Sequence, residues 1–220
     1  MAAGLPIHIK RLGLIDYQAC YQAMQDFTQA RHSDTPDEIW LVQHPPVFTQ
    51  GLNGDAKHLL DLLQRPAKIP LIQTDRGGQI TYHGPGQWIV YPLLNLKRRQ
   101  LGVKALVHLL EQTGIQLLAD YGITATARAD APGLYVAGQK IASLGLKVKR
   151  QCSYHGLALN VAMDLSPFQW ITPCGLTGIQ MTQVSDHLPN FDASLDSEAL
   201  GEALLSHLLA ALHAHGASSL

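Results

Sequence analysis

The chain has 220 residues, of which 46% are hydrophobic and 15% charged, and its formal net charge is −1. That length buries about 70% of the unfolded surface, so one domain can hold its core without disulfides or metal. The near-neutral charge argues against non-specific nucleic-acid binding, and neither a secretory signal nor an apolar run of ~18 residues is evident.

The first predicted element is a helix from Asp16 to about His32, with Tyr17, Cys20, Tyr21, Met24 and Phe27 on one apolar face. Ile39–Gln43, Val47–Gln50 and Ile69–Thr74 read as short strands separated by Pro and Gly. Gln79–His83 and Trp88–Tyr91 read as two more, joined by Gly84-Pro85-Gly86. A second helix runs from about Val103 to Tyr121 and stops at Gly122. Then come Thr124–Arg128, a hairpin of Leu134–Val136 with Lys140–Val148, and Tyr154–Val161. Ser166-Pro167 reads as a helix start, and a last helix begins near Asp196 or Ser197, its Leu200, Leu204, Leu208 and Leu212 stripe facing the core. Strands grouped in hairpins and meanders predict an α+β fold: a mixed, largely antiparallel sheet with packed helices. No linker divides the chain, so residues 1–220 are expected to form a single catalytic domain.

The average charge conceals a pattern. Residues 1–96 carry −1, residues 97–150 carry +6 and residues 151–220 carry −6. If the basic middle folds to one face, it attracts an acidic partner; if the charges disperse, it does nothing.

Arg76-Gly77-Gly78-Gln79-Ile80-Thr81-Tyr82-His83-Gly84-Pro85-Gly86-Gln87 is the densest chemical segment. Its paired glycines let backbone approach a ligand closely, and His83 ends a strand where a cleft would open; a Gly-rich hairpin with a packed histidine is the plainer alternative. Gly133 to Ile141 is not a phosphate-binding loop, because Gln139 separates Gly138 from Lys140 and no Ser or Thr follows. Lys140 opens an apolar strand: partly buried it would serve as a base, and at an edge it would merely block aggregation. The three cysteines, Cys20, Cys152 and Cys174, include no CxxC pair and fit a reduced, cytosolic chain. Cys20 reads as core and Cys152 is uninformative; Cys174, among turn formers, is either a nucleophile or a small buried hydrophobe. The histidines show no metal-ligand spacing, and no serine-hydrolase elbow is present.

Four segments in order resemble the lipoyl(octanoyl) transferase family: Arg76–Gln87 leading into Tyr91; Lys140-Ile141-Ala142-Ser143-Leu144-Gly145; Tyr154-His155-Gly156-Leu157-Ala158-Leu159-Asn160; and Asp164-Leu165-Ser166 followed by Pro173-Cys174-Gly175-Leu176. Together they span about residues 43–185, with the C-terminal helix expected over about 196–215. The resemblance implies a fold like the biotin protein ligase catalytic domain. It implies transfer of octanoyl from octanoyl-acyl carrier protein, through a cysteine thioester, to a lysine of lipoyl domains in 2-oxoacid dehydrogenase subunits or the glycine cleavage H protein. This is the first step of endogenous lipoate biosynthesis. By the same resemblance Cys174 is the nucleophile, and Lys140 lowers its pKa and shuttles protons. Arg76, Gly77, Gly78, Gln79, Ile80, Thr81, Tyr82, His83, Ser143, Leu144, Gly145, Gly156, Leu157 and Ala158 match the substrate-binding stretches. No cofactor, metal, nucleic acid or membrane is implied, and a cytoplasmic location is expected. Backbone amides near Cys174 and in the Gly77-Gly78 or Gly145 region are expected to hold the oxyanion. Lys97, Arg98, Arg99, Lys104, Lys147, Lys149 and Arg150 are expected to form a docking face for the acidic partners. The competing readings are an ATP-dependent lipoate–protein ligase and a non-catalytic acyl-carrier-binding protein.

Overall fold

The computed structural model describes residues 6–54, 69–171 and 179–218. The helix expected at the start is α1, Tyr17–Ala30, capped by Asp16, whose carboxylate accepts the Ala19 amide at 2.9 Å. Its buried face is Tyr17, Cys20, Tyr21, Met24 and Thr28. Before it lies β1, Ile7–Leu14, a strand absent from the sequence reading. The remaining strands are β2 (Asp37–Gln43), β3 (Val47–Gln50), β4 (Leu71–Gln73), β5 (Ile80–His83), β6 (Gln87–Leu93), β7 (Thr126–Ala127), β8 (Gly133–Val136), β9 (Gln139–Lys149) and β10 (Cys152–Asn160). The other helices are α2, Val103–Asp120, and α3, Ala193–Ser218. Ser166–Trp170 forms a 3-10 turn rather than an α-helix.

Among the described residues, seven strands form one sheet in the order β1-β2-β6-β10-β9-β8-β7, and three form a second, β4-β3-β5. Only β1–β2 and β3–β4 pair in parallel. The α+β expectation therefore holds. The two strands expected either side of Gly84-Pro85-Gly86 are present, but they are not paired with each other as the plainer hairpin alternative would have it. β5 pairs with β3 in the small sheet, and β6 pairs with β2 and β10 in the large one, so the turn carries the chain between sheets.

β2, β6 and β10 are buried along almost their whole length because both sheet faces are covered. One face packs against α2 and α3 through Leu41, Val90, Leu106, Leu110, Leu157 and the leucines of the α3 stripe. The other face packs against α1 through Tyr17, Met24, Trp40, Ile89, Tyr91 and Tyr154. Beyond it the small sheet forms its own cluster with Phe48, Tyr82 and Phe168. The space between the large sheet, α1 and the small sheet is where the singled-out segments meet.

A buried ion cluster ties down one edge. Asp37 is fully buried and pairs with Arg31, Arg98 (2.7 Å) and Arg99 (2.5 Å), and also accepts the Asn95 amide. Arg98 and Arg99 are partly exposed, with their charge paired to Asp37. Lys97, Lys104, Lys149 and Arg150 are exposed. No described helix is long and apolar enough to cross a membrane.

Candidate active site

A cleft is lined by residues from all three expected substrate-binding stretches and by Lys140: Arg76, Gly78, Gln79, Ile80, Thr81 and His83; Lys140, Ser143, Leu144 and Gly145; Gly156 and Ala158. Tyr17, Ile89, Tyr91 and His155 complete the wall. Three expected residues lie off it. Tyr82 packs with Phe48 and Phe168, Leu157 belongs to the core on the opposite sheet face, and Gly77 sits behind Arg76. The Gly77 amide donates to Leu146 O at 2.9 Å, so it is not free to hold an oxyanion as expected. Cys174 falls outside the described residues.

Lys140 is 0% exposed. Its Nζ donates to Pro132 O at 2.9 Å and lies 5.5 Å from the Tyr135 ring centre. Two local features bring it there. A bulge shifts the β8–β9 register, so that Tyr135 faces Lys140 while Leu134 faces Ala142, and Lys140 falls on the same side as Ser143 and Gly145. Gly133, at φ +140, leaves room for the lysine stem: a Cβ there would stand 2.7 Å from Lys140 Cε. The segment that resumes at residue 179 then runs beside it, with Lys140 N donating to Gln180 O and Thr182 N to Lys140 O.

Arg76 is buried against β3, its guanidinium donating to Thr49 O (2.7 Å) and Thr49 Oγ1 (2.9 Å). A Cβ on Gly145 would stand 3.1 Å from Gly77 O and 3.4 Å from Arg76 Cδ; glycine is what lets the Arg76 loop close on β9.

His83 stacks on Tyr17, with ring centres 5.6 Å apart. Its Nδ1–H donates to Gln87 Oε1 at 2.6 Å; Gln87 Nε2 donates to Asn160 Oδ1 and Asn160 Nδ2 to Thr182 O. The amide orientations are those that satisfy this relay. Burial, and then His44, hold the His83 pKa well below its ordinary value, so the ring is neutral and fixed rather than a ready base. His44 donates from Nδ1 to Ile15 O and accepts the Tyr91 hydroxyl at Nε2 (2.9 Å); burial lowers its pKa to about 4. His155 has φ +58, unusual for a side chain with a Cβ, and this turns its ring to the α1 side beside Tyr154 and Tyr21. Its Nε2–H donates to Asp75 Oδ1 at 3.3 Å. Burial works to raise the Asp75 pKa, but hydrogen bonds from His155, Tyr154 and Tyr21 prevail and hold it below the usual carboxylate range. Burial keeps His155 neutral despite that neighbour.

The two described cysteines are poor nucleophiles. Burial pushes the Cys20 thiol up to about 12 and also raises that of Cys152. Sequence reasoning missed Tyr17 and Ile89 as cleft residues, because their spacing reads only as core. Asp75, one residue before Arg76, carries no signal until its partners on β10 and α1 are in place.

The family described as the lipoyl protein ligase A/B catalytic domain matches residues 16–209. An octanoyltransferase of Hydrogenovibrio crunogenus is 60% identical over 204 residues, 93% of this chain and 97% of that protein. One from Klebsiella pneumoniae is 56% identical over 94% of this chain and 93% of its own length. Among solved structures, a bi-partite lipoate protein ligase from Thermoplasma acidophilum aligns with TM-score 0.72 at 15% identity, covering 95% of this chain and 84% of that one. A biotin protein ligase from Aquifex aeolicus aligns with TM-score 0.52 at 11% identity, covering 95% and 70%. The ligases share the fold; the octanoyltransferases share the sequence nearly end to end. The chain belongs to the lipoyl protein ligase A/B catalytic domain family, among its lipoyl(octanoyl) transferases.

Proposed function

We propose that this chain transfers octanoyl from octanoyl-acyl carrier protein to a lysine of a lipoyl domain through a thioester on Cys174, with Lys140 as its acid–base partner. One observation carries the reading: a fully buried lysine stands on the wall of the same cleft as Arg76, His83, Ser143 and Gly145. The burial of the other two thiols supports it, since burial raises the pKa of both and makes neither a ready nucleophile.

In the first step the Cys174 thiolate attacks the acyl carbonyl, the C–S bond to the carrier breaks, and the leaving carrier thiolate takes a proton from the Lys140 ammonium, which becomes the neutral amine. In the second, the acceptor lysine amine attacks, the C–S bond to Cys174 breaks, and the amine's proton passes to Lys140. An ordinary cysteine is only a few per cent thiolate at pH 7, and an ammonium nearby raises that fraction. Thioester exchange is nearly isoenergetic and thioester-to-amide transfer is downhill, so the scheme needs no ATP. Burying about six methylenes contributes on the order of 5 kcal/mol, so contact with the carrier protein supplies much of the affinity.

Intact-mass measurement after incubation with octanoyl-acyl carrier protein, without ATP, tests this. One octanoyl adduct is expected, lost in Cys174→Ala and retained in Cys152→Ala. Lys140→Met should slow adduct formation by about 10²–10⁴-fold without lowering the unfolding midpoint. An adduct on Cys152, or a requirement for ATP, overturns the reading.

A further inference from the structure

The cleft wall holds a donor that nothing among the described residues uses. Tyr17 is 2% exposed and lines the cleft, yet its hydroxyl has no hydrogen-bond partner among the described residues. Native proteins rarely leave a buried hydroxyl unpaired, because it loses its water and gains nothing. Contacts place Tyr17 along the cleft: its ring stacks on His83, whose Nε2 meets the Thr49 Oγ1 that Arg76 also reaches, and lies 6.2 Å from that of Tyr21, which contacts His155 opposite Leu146 on β9. Arg76 in turn packs against Gly145. Gly145 is five residues along β9 from Lys140, one of them in the bulge, so roughly 13 Å away at ~3.3 Å per regular residue. The hydroxyl therefore belongs to the part of the cleft remote from the Lys140 backbone.

We infer that Tyr17 sets acyl chain length: its hydroxyl, on the same wall as the Arg76 guanidinium, makes the far end of the acyl cleft polar, so the methyl end of an eight-carbon chain stops short of it. The inference rests on the reading that the thioester reacts beside Lys140. In a wholly apolar cleft, two further methylenes would improve binding about tenfold. Against an unpaired hydroxyl they gain little, because they take from that group whatever water it holds. The ring itself is fixed by its stack on His83 and its edge contact with His44, 4.9 Å between centres, so removal of the oxygen alone leaves the wall in place.

The test compares octanoyl- and decanoyl-acyl carrier protein as donors for wild type and Tyr17→Phe. The decanoyl-to-octanoyl ratio of kcat/KM should rise about tenfold in the variant. The unfolding midpoint should not fall. An unchanged ratio overturns the inference. So does a hundredfold loss of octanoyl kcat at constant ratio, which would place the hydroxyl at the reacting carbonyl. Failure of the underlying reading shows separately, as wild-type acylation in Lys140→Met.

Discussion

Gly133→Ala tests whether Lys140 must stand where it does, without changing its chemistry. A Cβ at position 133 would lie 2.3 Å from Ala142 O, 2.7 Å from Lys140 Cε and 3.1 Å from its Nζ. Carbon atoms rest at about 3.5–4.0 Å, so the lysine stem has to retreat by about 1 Å. The lysine stem is flexible and can retreat, whereas the 2.3 Å contact with the Ala142 carbonyl is with backbone and is relieved only by a shift between β8 and β9. A displacement of about 1 Å at a reacting group costs about 10²-fold in rate. The φ of +140 adds a penalty of about 1–3 kcal/mol for any residue with a Cβ. At about 2–4 °C per kcal/mol for a chain of this size, the unfolding midpoint falls by roughly 2–12 °C. The assay is the rate of octanoyl adduct formation by quenched intact mass, measured well below the variant's midpoint, alongside a thermal melt. A folded variant that acylates within threefold of wild type refutes the requirement for Lys140 at this position.

Two further outcomes concern the scaffold. Asp37→Ala leaves Arg31, Arg98 and Arg99 facing one another without their shared carboxylate, and should cost about 3–5 kcal/mol in urea unfolding; a loss below about 1 kcal/mol shows that the cluster contributes only local order. Stability should also fall on acidification. The His44 pKa lies near 4 in the folded chain and near 6.5 unfolded, so the unfolded chain takes up the proton first. The His44 contribution is complete above about pH 6.5 and is lost as pH falls towards 4, by on the order of 3 kcal/mol at about 1.36 kcal/mol per pH unit. His83 and His155 act in the same direction. His44→Gln should flatten that part of the profile in urea titrations; a pH dependence identical to wild type contradicts the assignment.

What the sequence disclosed followed local rules. β3 was legible because proline and glycine bracket its apolar residues, and α1 because an Asp cap precedes a helical apolar stripe. β1 was not, because it is a half-exposed edge strand whose Ile7 and Ile9 alternation runs into Lys10-Arg11. The separation of β5 from β6 into two sheets depends on pairing with distant strands, which a Gly-Pro-Gly turn does not encode. The cleft residues of the glycine-rich segment were visible as a motif; the depth of Lys140 was not, since it follows from Gly133 and a register shift on the neighbouring strand. Tyr17 shows the same limit from the other side. Its spacing announces a core residue, and only the assembled packing reveals a hydroxyl without a partner.

The relay from His83 through Gln87 and Asn160 to Thr182 has a mechanical consequence. It begins on a strand of the small sheet, crosses two strands of the large one, and ends on the segment hydrogen-bonded to both sides of the Lys140 peptide. Apolar surfaces can slide past one another at small cost, whereas amide hydrogen bonds have a preferred direction and length. The two walls of the cleft are therefore keyed together rather than merely pressed together. A shift of one sheet along the other would break bonds instead of repacking side chains, so the gauge of the cleft is held by polar groups of which His83 alone lies on its wall.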